Sequence, residues 1–185
     1  MNHLQTIFAG NNVAVLCIYC NFKEQSEQTV SNLVASLLKQ LIEDSPEVHD
    51  NIKSLYERHK DQRACPTLGE LQQVLISEIK MISKVFIVVD ALDECSEADG
   101  TRAKLLSVLQ SLGSIHLLAT ARPLSSILED FHGSPKLEIH ASNHDVQRYI
   151  EERIPHEPWL AKHVKGHSQL QEEIIKKIIQ NVRGM

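Results

Sequence analysis

Val85-Phe86-Ile87-Val88-Val89-Asp90-Ala91-Leu92-Asp93-Glu94 decides the fold. Five apolar, mostly β-branched residues run without a polar break, then stop at a carboxylate. A run this short and this apolar reads as a strand covered on both faces, as in a parallel sheet. In open α/β sheets ligands sit beyond the carboxyl ends of the strands. Asp90 stands at that end, and a carboxylate there can hold Mg2+, because hard cations take oxygen ligands. Asp93 and Glu94 lie in the turn that follows, where either can polarise a water for attack on a phosphate. Ala91 is small and lets phosphates approach the backbone. The plainer explanation is a buried strand running into an acidic helix start, where carboxylates favour the macrodipole.

Strand and helix patterns alternate outward from this stretch. Val13–Cys20 (VAVLCIYC) is a second unbroken apolar run, and Ile115–Ala121 (IHLLATA) a third strand. A short strand is expected at Leu137–Ile139. Between the first two runs, Val30, Leu33, Val34, Leu37, Leu38, Leu41 and Ile42 recur at helical spacing over Thr29–Ile42. Ser45 and Pro46 stop that helix, and a weaker stripe of Val48, Ile52, Leu55 and Tyr56 follows. Thr67 with Glu70 forms a capping-box pattern ahead of a helix to about Met81. A helix from about Ala98 to Leu112, ending at Gly113, leads to the third strand. A short helix is expected near Leu124–Phe131.

Upstream of Val13, Leu4, Ile7 and Phe8 share a face over residues 3–9 and read as a helix end, with Gly10 as its stop. Downstream, Ser142 can cap a helix to about Ile154, and Pro155 and Pro158 break the pattern. Ser168 with Gln171 then precedes Leu170, Ile174, Ile175, Ile178, Ile179 and Val182 at helical spacing. The order predicts an α/β domain with a parallel sheet flanked by helices over residues 1–141. The start of an all-α subdomain is expected over 142–185.

The totals agree with a folded domain, or one domain and the start of another. The chain has 185 residues, 42% of them hydrophobic and only 4% aromatic, so its core is aliphatic. A formal charge of -5 argues against a nucleic-acid surface, which needs a basic excess. No stretch reaches the roughly 18 apolar residues that span a membrane, and MNHLQTIFAG lacks the features of a signal peptide. The expected location is therefore cytoplasmic. Four cysteines without a secretory signal read as thiols rather than a disulfide framework. Cys17-x-x-Cys20 falls on a strand, where residues three apart face opposite ways, so it is not a chelating pair. His163 and His167 flank Gly166 with no glutamate after His163, and read as a surface pair. Cys95, beside the acidic turn, reads as a small buried filler.

VVDALDEC resembles the Walker B segment of NACHT-type STAND P-loop NTPases, most closely the nephrocystin-3-like N-terminal domains found in large fungal proteins with ankyrin or other repeats. Leu117–Pro123 (LLATARP) resembles their sensor 1 strand, which ends T-S-R-P. Leu137–Ile150 (LEIHASNHDVQRYI) resembles the strand and helix that lead out of the NTPase core, and the NFKEQSEQT stretch also fits. The resemblance covers nearly the whole chain. It implies that Asp90 coordinates Mg2+, that Asp93, with Glu94 beside it, orients the hydrolytic water, and that Arg122 reads the γ-phosphate of ATP or GTP. An Arg fork suits phosphate oxygens; without the resemblance, Arg122 is a solvated residue ahead of a proline-led helix.

The sequence departs from that family in one respect. No Gly-Lys-Ser or Gly-Lys-Thr occurs, so the G-x-x-x-x-G-K-[ST] loop that cradles phosphates is absent. The family places that loop just before the helix end at residues 3–9, with its strand between the third and fourth strands read here. The expectation is thus an internal fragment of a STAND switch carrying the Walker B half of the site and holding nucleotide weakly by itself. The alternative is a non-catalytic pseudo-NTPase remnant or an interaction module. The resemblance further implies self-association through the NTPase domain and partnership with repeat or effector domains of the parent, with no nucleic acid and no membrane.

Overall fold

The structure, a computed structural model, describes residues 12–43, 48–60 and 64–182. The helix end read at 3–9 and the Ser45–Pro46 stop lie outside the described residues. The chain divides into two compact units, Met1–His132 and Gly133–Met185.

The first unit is α/β. Strands β1 (Val13–Tyr19), β2 (Lys84–Asp90) and β3 (Ile115–Ala119) form a parallel sheet in the order β1-β2-β3. Tyr19 pairs with Asp90, and Val89 pairs with both Ile18 and Ala119, so the three strands end in step at their carboxyl edge. One face carries Ala14, Leu16, Ile18, Val85, Ile87 and Val89, all in the main core, with Ile115, Leu117 and Ala119 packed against them. The other face of β2 and β3 is less covered: Phe86 stacks on His116 at 4.9 Å, and Leu118 is 57% exposed. The third strand is therefore not buried on both faces as its apolar run suggests. Among the described residues it pairs only with β2.

Helix α1 (Val30–Glu43) buries Val30, Leu33, Val34, Leu37, Leu38 and Leu41, the stripe its spacing predicts, against β1 and the neighbouring helices. Its Gln40 also closes the outer edge of β1. The Cys17 N–H donates to Gln40 Oε1 and Gln40 Nε2 donates to the Cys17 carbonyl, both at 2.8 Å, so one side-chain amide satisfies the edge of a strand that pairs, among the described residues, only with β2. Helix α2 (Asp50–Lys60) buries only Leu55. It is joined to α3 (Leu68–Ile79) by polar pairs, His49 with the buried Glu78, and Arg58 and His59 with Glu70. The capping box at Thr67 and Glu70 is present at the start of α3.

Helix α4 (Thr101–Ser111) starts three residues later than its pattern suggests. Gly100 takes a left-handed turn at φ 75, and Asp99 Oδ1 accepts from the Thr101 N–H at 2.9 Å, which sets the start there. Gly113, at φ 87, ends it in the expected manner. The buried Arg102 ties α4 to α5 (Ser125–Asp130) through Ser126 and Asp130.

The second unit holds α6 (Asn143–Arg153), α7 (Pro158–Val164) and α8 (Ser168–Val182) around Ile150, Ile154, Val164 and Ile175. Ser142 and Asp145 cap α6 reciprocally. Leu170 and Ile178, read as part of the buried stripe of α8, are instead 39% and 38% exposed. The strand expected at Leu137–Ile139 does not form. Residues 135–142 have no regular structure, and Leu137 and Ile139 are 85% and 84% exposed. A β-favouring triplet becomes a strand only beside a ladder that takes its N–H and C=O groups, and no described strand pairs with it.

Candidate functional site

The carboxyl edge of the sheet gathers the four residues singled out in the sequence. Asp90 closes β2, and its carbonyl accepts from the Cys20 N–H at 3.0 Å. Ala91 then adopts φ 53 and ψ 47, the one left-handed residue other than glycine among those described. Such a conformation is held only where the surroundings over-determine it. Here they do: the Ala91 N–H donates to Thr120 Oγ1 at 3.0 Å and the Leu92 N–H to the Thr120 carbonyl at 2.8 Å, while the Leu92 side chain is fully buried. The bend swings Leu92–Glu94 into a single 3-10 turn over the strand ends.

Thr120 fixes Asp90 as well. Its hydroxyl donates to Asp90 Oδ1 at 2.5 Å while accepting from Ala91. The residue lies within the quoted LLATARP stretch, yet its part at the site was not read from the sequence. The signal is the register. With Val89 opposite Ala119, the next residue on each strand, Asp90 and Thr120, must also face one another.

Asp93 and Arg122 form the second link. Arg122 Nε donates to Asp93 Oδ2 at 2.5 Å and the Arg122 backbone N–H to Asp93 Oδ1 at 3.2 Å. The Asp93 side chain is 5% exposed, whereas that of Arg122 is 74% exposed. Burial pushes the Asp93 carboxyl up, but the two bonds from Arg122 and its charge outweigh that and hold it below its ordinary value. The same contact raises Arg122. The pair is a charge-assisted, two-point link.

Glu94 turns the other way. Its Oε2 accepts from the Phe22 N–H at 3.1 Å and its carbonyl from Gln25 Nε2 at 2.9 Å, so it fastens the acidic turn to the segment after β1. The structure thus brings Asp93 together with Arg122 and Asp90 together with Thr120, and commits Glu94 to the β1 side. Gln25 was also missed, because the partner of its side chain is a backbone carbonyl 69 positions away.

Chemically, the edge offers a strand-end carboxylate and an exposed guanidinium on a salt-bridged turn. Among the described residues no group of three or more His, Cys, Asp or Glu side chains is set to hold a metal by itself. A shallow hollow of about 580 Å3, lined by His163, Gly166, His167, Leu170 and Glu173, lies within the second unit and contains none of the four site residues. Among the described residues no helix is long and apolar enough to cross a membrane.

No curated protein and no solved structure matches the chain. A family model does: the one described as nephrocystin 3, N-terminal, matches residues 1–122. That match takes in all three strands, the acidic turn and Arg122, and covers more than half of the chain. The chain belongs to the nephrocystin 3 N-terminal family.

Proposed function

We propose that this chain is part of a nucleotide-dependent STAND switch of the P-loop NTPase class, in which the carboxyl edge of the sheet meets Mg2+ and the phosphates of ATP or GTP. The observation that carries the reading is the pair of cross-strand links, Thr120 to Asp90 and Arg122 to Asp93. Together they lock two strand ends and an acidic turn into one constellation. Mg2+ prefers few carboxylates, several waters and substrate phosphates to a protein-built cage. A single oriented Asp90 fits that demand, since the Thr120 bond occupies Oδ1 and leaves the second oxygen outside it. The bound ion would supply charge neutralisation to the phosphate oxygens.

Arg122 is an exposed cation at this edge whose fork suits phosphate oxygens. In the switch it exchanges Asp93 for phosphate, and Asp93 then orients the attacking water. The edge of β3 away from β2 is where the family places the phosphate-loop strand. The sequence contains no Gly-Lys-Ser or Gly-Lys-Thr, so this chain alone supplies the metal arm of the site and not the phosphate arm. Self-association and repeat or effector domains of the parent are the partners this reading implies.

A second reading has its own support. With Asp93 neutralised by Arg122 and no phosphate loop in the sequence, the chain is a non-catalytic remnant or an interaction module. Reading the gene ahead of Met1 for an in-frame G-x-x-x-x-G-K-[ST], then titrating that gene product with Mg-ATP and Mg-GTP, separates the two. A loop and Mg2+-dependent binding support the switch. No loop and no binding leave the remnant.

A further inference from the structure

We propose that the start of α2 is latched to α3 by a proton shared between His49 and Glu78, so that this end opens as pH rises above neutral while the far end, held on Glu70, stays docked. Among the described residues, two buried side-chain polar atoms lack a hydrogen-bond partner, Glu78 Oε1 and His59 Nδ1. Both lie where these helices meet. Helix α2 buries Leu55 alone, with Ile52 partly buried against the same core. A helix with so little apolar cover depends on its polar ends. His49 precedes α2, and its carbonyl accepts from the Ile52 and Lys53 N–H groups at 3.1 Å. Its Nδ1 lies on Glu78 Oε2. At the other end, His59 Nε2 lies 3.1 Å from Glu70 Oε1, and Arg58 reaches the same oxygen at 3.4 Å. The latch is remote from the four site residues, and the inference does not depend on nucleotide binding.

The two ends differ in what they need. Glu78 is 4% exposed, and the helices packed on α3 are α1 and α2. On α1, Lys39 pairs with Glu43; on α2, Lys53 pairs with Asp50, Arg58 with Glu70, and Lys60 lies over Tyr56, while Glu57 is an exposed acid. Among the described residues, the cation that meets Glu78 is therefore protonated His49. With that proton the buried charges balance. Without it, Nδ1–H still donates to Oε2, but a carboxylate remains inside with its other oxygen unpartnered, which burial penalises. Once the helix end opens, water solvates both groups and the penalty disappears. Docking and protonation thus favour each other, and by linkage docking weakens as pH rises. An imidazole in water gives up its proton at about pH 6.5. At the far end Glu70 is held down to about 2, chiefly by the Thr67 bonds, and is ionised throughout this range. Neutral His59 meets it with Nε2–H, and Arg58 adds a charge that does not titrate. A second proton on His59 Nδ1 would find no acceptor. That end requires no added proton and serves as the hinge.

The test is amide hydrogen exchange on the folded 185-residue chain at about pH 6 and about pH 8.5, either side of the ordinary histidine range. Rates are expressed as protection relative to unstructured peptide, so that the intrinsic pH dependence of exchange cancels. Protection over residues 52–55 should fall about tenfold at the higher pH, with a smaller change over 57–60 and none over Lys84–Asp90 in β2. His49→Gln should give the low protection at both pH values. Glu78→Gln removes the buried charge and should give equal protection at both. His59→Gln should keep the pH dependence. His49 is 40% exposed at its side chain, so its replacement leaves the core intact and carries the test if Glu78→Gln unfolds the chain. Equal protection of 52–55 at both pH values in the unsubstituted chain would overturn the proposal. So would a pH dependence that survives His49→Gln, or a fall of the same size in β2, which would mark global unfolding.

Discussion

Arg122 grips Asp93 at two points, side chain to Oδ2 at 2.5 Å and backbone to Oδ1 at 3.2 Å, and so ties the exit of the third strand to the acidic turn after the second. The turn's conformation, including left-handed Ala91, is set by what β3 supplies, and the site is a property of two strands read together.

The first prediction concerns acid. Asp93 titrates below its ordinary value in the folded chain. Glu70 is held down to about 2 from 4.5 by the Thr67 backbone and side-chain bonds, with His59 adding to them. A carboxyl depressed by folding stabilises above its unfolded value, and that contribution fades as pH falls through the folded one. Unfolding midpoints should therefore drop from about pH 4.5 downward. Asp93→Asn and Glu70→Gln should each flatten the slope, as urea denaturation at stepped pH measures. An unchanged slope in Asp93→Asn would show that the Arg122 link does not outlast folding in solution.

The second concerns Ala91. A left-handed backbone costs an L-residue with a Cβ roughly 1–2 kcal/mol, and a β-branched side chain fares worse. Ala91→Val should lower stability by at least that order, whereas Ala91→Gly should leave it level or slightly raised. Denaturant midpoints of the two variants decide it; equal losses in both would place the bend elsewhere.

Thr120 and Thr67 allow a paired comparison. Thr120→Val removes an acceptor for the Ala91 N–H and a donor to Asp90, at a cost of about 1 kcal/mol, because the bonds are solvent-facing. Thr67→Ala removes the cap of α3 and costs about the same. Only Thr120→Val should also weaken divalent-ion binding in a nucleotide-competent parent. A matching loss of ion binding in Thr67→Ala would show that the effect is general destabilisation.

Much of this was open to inspection in the chain. The stripe from Val30 to Leu41, the Thr67–Glu70 box and the VFIVVD strand each carry a local signal strong enough to survive packing. Asp90, Asp93 and Arg122 were legible because their positions follow from strand ends. Leu137–Ile139 was misread because β-propensity says a segment fits a ladder, not that a ladder is there. The part of Thr120 was not legible one strand at a time: it depends on register between strands, which no single run of sequence encodes.

The core gives a control on the fold. Ile87 is fully buried at the middle of the central strand, and Ile87→Ala should cost about 2–5 kcal/mol. Circular dichroism during urea unfolding should show the loss; a cost under 1 kcal/mol would mean that the sheet is not the stable centre of the first unit.

The proposed role rests most directly on titration calorimetry with Mg-ATP and Mg-GTP, run on the gene product that carries an upstream G-x-x-x-x-G-K-[ST], on its Asp90→Asn variant, and on the 185-residue chain. Each charge-assisted phosphate bond contributes roughly 1.5–3 kcal/mol, so a chain without the loop should bind several powers of ten more weakly. The account predicts micromolar, Mg2+-dependent binding by the longer product, at least tenfold weaker in Asp90→Asn, and none in that range by the 185-residue chain. Micromolar binding by the 185-residue chain that Asp90→Asn leaves unchanged would contradict it.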